Sequence, residues 1–376
     1  MEFTLSDEQI LFQESVASFV AKEYDADKRC ALTQSEDGFS RAHWAHFAEL
    51  GWLSLAIDEA DGGLGGTALD TAVLMEGFGR GLLLEPYLSN MVMGAGVIGL
   101  AASEGQKSAV LPALGGGELL LSFAFAEPRA RYDLAMVASE AVKGDGGYVL
   151  NGHKSVVLHA ASADKIIVSA RTAGKVNDAN GISLFLLERA APGLSLQAYA
   201  TIDGGRAAEV MLADAKGELL GEEGGALAII EAVIDRALIA LCAEAVGIMQ
   251  TLIEMTRAYL DSRKQFGVPI AKFQVLQHQL VDMYMAHKLS KALTYRAAAA
   301  IGSADSAARA RAASAAKVQI GKAGKLVGQQ AVQLHGGMGM TDELPLGHYF
   351  KRLSMIETLF GNTDHHRRRF AALPGE

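Results

Sequence analysis

A long apolar pattern bearing Glu231, Asp235 and Glu244 supplies carboxylates, and a buried glutamate with a raised pKa suits proton abstraction. Beyond it comes Arg263-Lys264-Gln265-Phe266-Gly267. The arginine is a fixed cation near a helix end, suited to two-pronged phosphate binding. Taken alone it equally suits a surface ion pair with Asp261. About seventy residues on, Gln333 and Gly336-Gly337 offer an amide and open backbone to a close ligand, or simply a helix cap and turn. No strand precedes these glycines, so they are not a GxGxxG nucleotide fingerprint. His365-His366 are adjacent and point apart, with no carboxylate at ligand spacing, so no metal site is expected.

The 376 residues, 50% hydrophobic and 20% charged, suffice for two or three domains with a large core. A formal charge of −9 without a long basic run argues against a nucleic-acid surface, whose affinity rests on neutralising phosphates. Cys30 and Cys242 form neither a disulfide framework nor a zinc knuckle. With an acidic start lacking the basic and apolar regions of an export signal, the expected compartment is the cytoplasm. The apolar stretch 226–249 is interrupted by Glu231, Asp235, Arg236 and Glu244, too costly for a membrane span. It reads as a buried helix.

Three textures position these groups. Residues 1–115 are mostly helical, opened by Ser6 as N-cap with Gln9 completing a capping box. From 116 to 222 short β-branched runs alternate with Gly, Asp and Asn, predicting a small antiparallel barrel or sandwich. Gly144-Asp145-Gly146-Gly147 and Asn151-Gly152 read there as hairpin turns. From 223 to 376 the helical period returns, with long helices over 228–263, 273–300 and 306–334. Gly302 stops the second and Ser303 or Asp305 caps the third. Asp364 reads as a cap, Met338, Met340 and Met355 as core filler, and Glu231 and Asp235 as facing solvent or Arg236.

Several runs recur here in order: Leu5-Ser6-Asp7-Glu8-Gln9, the turn around Asp61-Gly62-Gly63, Ala126-Glu127-Pro128, Leu150-Asn151-Gly152-His153-Lys154, Arg263-Lys264-Gln265-Phe266-Gly267 and Gln333-Leu334-His335-Gly336-Gly337-Met338-Gly339. Over nearly the whole chain they resemble the acyl-CoA dehydrogenase family. The resemblance implies an α+β multidomain fold: an N-terminal helical domain, a middle antiparallel β-domain and a C-terminal four-helix bundle, assembled as a tetramer or dimer. It implies FAD between the β-domain of one subunit and the C-terminal helices of a neighbour, an acyl-CoA substrate, and an electron-transfer flavoprotein as acceptor. By the same resemblance Arg263, Gln265, Phe266, Ile270, Phe273, Gln333, Leu334 and Gly337 face a neighbour's FAD, and Phe123, Ala126 and Leu158 the chain's own flavin.

The chain departs from the family where chemistry is done. A threonine usually precedes Glu-Pro, and Ala126 stands there; Trp-Ile-Thr usually occupies the second flavin-facing strand, here Val156-Val157-Leu158. Each lost hydroxyl removes about 1 kcal/mol of net hydrogen bonding. His159 stands where the family usually has asparagine and reads as a hydrogen-bonded structural histidine. The usual base position falls on Phe360, and the alternative one, counted back from Gly247, on Ala237. Neither can abstract a proton. Glu244, two helical turns beyond Ala237, is a weak candidate base and more simply a helix–helix ion pair.

Three functions stay open. The chain is the base-lacking subunit of a heteromer, completing a FAD site on a sister chain, as in bacterial family members acting on ring-bearing or steroid side-chain thioesters. Alternatively it is a self-sufficient dehydrogenase with a non-standard base, or a non-catalytic structural homologue.

Overall fold

The computed structural model describes residues 5–144, 147–303, 305–341 and 344–374. Its helices open with α1 (Asp7–Glu23), α2 (Ala26–Gln34), α3 (Arg41–Glu49) and α4 (Ala68–Gly81), then a π-helical segment (Leu88–Ala95), α5 (Gly96–Ala101) and α6 (Glu104–Gly115). Ser6 Oγ accepts from Gln9 N, and Gln9 Oε1 accepts from Ser6 N, the expected capping box.

Seven strands follow: β1 (Leu121–Ala124), β2 (Glu140–Gly144), β3 (Gly147–Leu158), β4 (Lys165–Arg171), β5 (Ile182–Glu188), β6 (Leu194–Ala200) and β7 (Arg206–Leu220). Their order β1-β4-β2-β3-β7-β5, with β5 pairing back onto β4, closes a barrel that β6 extends along β7. Leu150, Val157, Ile166, Val168, Phe185 and Val210 fill its interior. Most pairs are antiparallel as expected, but β1 runs parallel to β4, and β2 touches β4 in parallel at Glu140 and Arg171. Those strands are joined by long excursions rather than tight turns, which frees them from antiparallel pairing.

Asn151-Gly152 is not a hairpin. It lies inside β3, where the register against β7 shifts between Leu150 and Gly152. Asn151 exchanges hydrogen bonds with Asp214, and a Cβ at Gly152 would overlap Ser139. The glycine serves a bulge and a close approach. Gly144 and Gly147 do pair at the end of β2 and β3; Asp145 and Gly146 lie outside the described residues.

The chain then runs through α7 (Ala226–Ser262), the short strands β8 (Lys264–Gln265) and β9 (Val268–Pro269), α8 (Gln274–Ala300), α9 (Ser306–His335), α10 (Leu346–Thr358) and α11 (Thr363–Ala372). Asp305 caps α9, accepting from Ala307 N and Ala308 N; Ala304 in that link lies outside the described residues. No described helix is long and apolar enough to cross a membrane.

Two compact units divide the chain. A helical unit comprises Met1–Ala31, Ala68–Leu83 and Leu238–Glu376; a barrel unit comprises Leu32–Thr67 and Leu84–Ala237. Within the helical unit α4 and α7 cross at two glycines. A Cβ on Gly79 would overlap the Glu244 carbonyl, and one on Gly247 the Glu76 carbonyl. That contact lets Glu76 accept from Lys291 Nζ at 2.7 Å and Tyr295 Oη at 2.8 Å, joining α4 to α8.

Candidate functional site

In the helical unit, the C-terminal ends of α7 and α9 carry the two signature runs. After α7, Lys264-Gln265 pairs with Val268-Pro269 in a two-residue hairpin. Phe266 (φ 54°) and Gly267 (φ 79°) both take left-handed backbone at its tip, as a type I′ turn requires. Gly267 does so freely. Phe266 does so under strain, and its side chain is 91% exposed, touching the Phe273 ring edge-on at 6.0 Å.

The hairpin is closed by Ile270 N donating to Arg263 O at 2.8 Å, and Phe273 N donates to Ile270 O. Arg263 and Gln265 are exposed. Asp261 lies 3.8 Å from Arg257 instead, and among the described residues no carboxylate reaches ion-pair distance of Arg263.

Gly336 (φ 59°) ends α9 as its C-cap and donates to Gln333 O. A 3-10 turn (Gly336–Met340) follows. Gln333 is exposed and Leu334 buried. A Cβ at Gly337 would meet nothing within 4 Å, so this glycine leaves its backbone open to an external group. Met338 and Met340 are 38% and 79% exposed rather than core filler, because the turn projects them away from the bundle.

The barrel unit presents its edge differently. Phe123 is buried in β1 and packs against Phe125 at 5.2 Å, so its side chain belongs to the core. The Ala126 carbonyl accepts from Ser155 N, and the Leu158 carbonyl from Ser122 Oγ at 2.6 Å. Between them β3 bulges: its register against β7 shifts between Lys154 and Val157, and Val156 takes a φ of 52°. Glu209 braces the bulge, accepting from Val156 N, Tyr199 Oη and His153 Nε2. Burial, then Glu209, pushes the Tyr199 hydroxyl up to about 12. His159 Nδ1 lies 3.2 Å from Ser89 Oγ, a structural contact.

Sequence reasoning missed what supports this edge. Lys154, fully buried, is 2.7 Å from Glu127, which also accepts from Ala138 N and Ser139 N. Burial by itself raises the Glu127 pKa, but Lys154 and the two amides outweigh it and hold the carboxyl below its ordinary value. The signal was present in the paired Glu-Pro and His-Lys runs.

The two positions where the resemblance places a base hold no carboxylate. Ala237 is fully buried in α7. Phe360 sits in left-handed backbone (φ 57°), its carbonyl 3.1 Å from His366 Nε2. The turn around it is held by buried Lys317, whose Nζ donates to the carbonyls of Glu357, Leu359 and Gly361. Desolvation draws that ammonium down to about 8.

Glu244 is locked in a two-pronged pair with Arg352 at 2.6 and 2.7 Å, the ion pair expected of it and not the setting of a proton acceptor. Of the two settings expected for Asp235, solvent or Arg236, burial excludes the first, because α7 is packed on several sides; Glu231 is exposed. The cap of α11 is Asn362, accepting from His365 N, with Asp364 in the first turn. Among the described residues no three His, Cys, Asp or Glu side chains gather as a metal site.

Three models of one family match in chain order: the N-terminal domain of acyl-CoA dehydrogenase at residues 6–118, the middle domain at 122–215 and the C-terminal domain at 223–373. The chain belongs to the acyl-CoA dehydrogenase family. A probable acyl-CoA dehydrogenase, YngJ of Bacillus subtilis, is 28% identical over 97% of each chain. Among solved structures, a variant of the Tcur3481-Tcur3483 steroid ACAD superposes with a TM-score of 0.88 at 28% identity, covering 98% of each chain. The FAD complex of PigA superposes at 0.91 with 26% identity, covering 99% of this chain and 98% of that one. In this acyl-CoA dehydrogenase, Arg263 and Gly337 stand on a rim at the C-terminal ends of α7 and α9, and Ala126 and Leu158 stand on the barrel edge.

Proposed function

We propose that the chain is a subunit of an FAD-dependent acyl-CoA dehydrogenase that converts an acyl-CoA thioester to the 2,3-enoyl-CoA, and that its α7–α9 rim completes a flavin site on a base-carrying sister chain. It is carried by the absence of a carboxylate at Ala237 and Phe360, the positions where the resemblance places a base, together with the commitment of Glu244 to Arg352. The Tcur3481-Tcur3483 steroid ACAD, with two components in its name, supports a heteromer.

FAD fits the rim. Arg263 is an exposed cation suited to a pyrophosphate, Gly337 has no atom of the chain where a Cβ would stand, and Phe266 offers an exposed apolar face. Bound FAD supplies the acceptor for the hydride that leaves the β-carbon as a carboxylate removes the α-proton. This chain's residues bind and orient; the proton goes to a carboxylate of the sister chain. Electrons then leave to an electron-transfer flavoprotein.

The barrel edge fits less well. Ala126 and Leu158 replace the hydroxyls the family usually offers there, and both their carbonyls are engaged within the chain.

The deciding experiment is the FAD-to-chain ratio of the protein expressed alone, by flavin absorbance with mass-based subunit counting. Folded protein with little flavin, gaining it on co-expression with a base-carrying homologue, is the expected result. Near one FAD per chain in the protein alone overturns the heteromer and identifies a self-sufficient enzyme with a base of another kind.

A further inference from the structure

We propose that Tyr259 and His335 are positioning residues, a stacked pair that clamps the ends of α7 and α9 together so that Arg263 and Gly337 form one flavin-binding rim. The proposal rests on the reading of that rim as a FAD site. The two rings lie 4.5 Å apart between centroids and 27° from parallel, a stacked geometry aromatic pairs favour when offset. Each partner sits one helical turn or less from a signature run. Tyr259 O accepts from Arg263 N at 2.9 Å, so the tyrosine's backbone holds the residue that would meet phosphate. His335 is the last residue of α9 and immediately precedes Gly336.

The histidine is itself fixed. It is 3% exposed, and its Nδ1 lies 2.8 Å from Ala331 O, which sets Nδ1 as the protonated nitrogen and the ring's orientation. Behind it the 3-10 turn folds back closely, since a Cβ at Gly339 would come within 2.7 Å of Val332 O and 3.1 Å of His335 Cβ. A shift of the His335 ring therefore moves the turn that carries Gly337. The two signature runs are far apart in sequence, and this stack is a side-chain contact joining the residues that lead into them. Its place explains why an aromatic ring is buried beside glycines that otherwise need only end a helix.

The test uses the assembled, FAD-loaded protein, stripped and retitrated with FAD while flavin fluorescence is followed, with the melting temperature of the stripped protein measured alongside. Arg263→Ala serves as the control for the rim. His335→Ala and Tyr259→Ala are each expected to weaken FAD binding about ten-fold, the double variant no more than either alone, because the pair acts as a unit. His335→Phe, which keeps a stacking ring, restores most of the loss.

If Arg263→Ala weakens FAD binding and the stack variants do not, the clamp is wrong while the rim stands. If Arg263→Ala also has no effect, the rim is not a flavin site and the clamp falls with it. A lowered melting temperature with unchanged FAD affinity reduces the pair to packing and overturns the proposal. Should His335→Ala fail to fold, His335→Leu against His335→Phe carries the test: equal affinities overturn the clamp, and tighter binding by the phenylalanine variant upholds it.

Discussion

The α7–α9 rim and the barrel edge are the two regions to which the resemblance assigns flavin contacts, and each keeps a different share of the chemistry expected of it. At the rim Arg263 is unpaired with Asp261, Gly337 is open, and Phe266 is held outward in strained backbone. At the barrel edge Ala126 and Leu158 stand where hydroxyls are usual, their carbonyls are occupied inside the chain, and Val156 replaces an indole. An exposed phenylalanine in left-handed backbone costs folding energy that a single edge-on contact with Phe273 returns only in part. A surface that lies outside the chain's own core but keeps its binding chemistry fits service to a neighbour. Neutral loss of flavin binding would erode both regions alike.

The sharpest way to break this comparison is Arg263→Ala. Hydrogen bonds to a charged group contribute about 1.5–3 kcal/mol, so the variant is expected to weaken FAD binding by the assembled protein roughly ten- to a hundred-fold. An unchanged dissociation constant in a flavin titration ends the reading of the rim as a phosphate site.

Acid separates the two units next. The unfolded chain takes up protons at ordinary histidine values near 6.5, whereas burial delays His287 to about 4 and His366, beside Lys317, to about 3. Both lie in the helical unit. Because their folded pKa values are depressed, their stability contribution is full above about 6.5 and is lost as pH falls toward 4 and 3. The buried pair of the barrel unit behaves otherwise. Glu127 is depressed from 4.5, so its contribution begins to be lost only below that value. Trp44 and Trp52, the two tryptophans, both report on the barrel unit. Between pH 6.5 and 5 the far-ultraviolet circular dichroism melt should fall by several degrees more than the tryptophan melt, and His287→Leu should shrink the gap. Coincident melts throughout refute separate acid responses.

Glu244→Gln follows. Removing one partner of a buried pair deprives Arg352, 20% exposed in its side chain, of the Glu244 carboxylate, and costs about 2–4 kcal/mol. The expected result is a lower melting temperature with turnover per bound FAD unchanged. A loss of turnover exceeding a hundred-fold, with FAD retained and the melt unchanged, makes Glu244 the base and removes the need for a sister chain.

Much of this was legible in residue types. The Ser6–Gln9 capping box, the glycine that ends α9 and the three-part texture follow from local rules that tertiary contacts did not override. Strands β2, β6 and β7 were not, because Glu140, Lys143, Gln197, Asp214 and Lys216 interrupt the β-branched runs on which a strand is usually recognised. Asn151-Gly152 carried a hairpin signal, but its bulge rests on pairing with β7, on the Asn151–Asp214 bonds and on the close approach of Ser139, all distant in sequence. For the site, the types at 263, 337 and 360 could be read directly. The commitment of Glu244 to Arg352 and the stacking of Tyr259 on His335 join residues far apart in sequence, and no local pattern encodes them.

The smallest expected effect bears most directly on the difference between the two regions. If the barrel edge binds flavin poorly for want of hydroxyls, Ala126→Thr and Leu158→Thr in the chain expressed alone should each return about 1 kcal/mol, roughly a five-fold gain in FAD affinity. Leu158 ends β3, where a β-branched threonine is at home, and Ala126 is only half-buried after β1, so neither change forces a large group into the core. The two positions belong to different segments of the edge, and their gains should add unless the ligand bridges both. A gain confined to these variants, and absent when threonine is placed at exposed Val142 on β2, assigns the weakness of this region to the lost hydroxyls. No gain at either position means that flavin does not lie along the barrel edge of this chain, and the rim alone then carries whatever binding the subunit contributes.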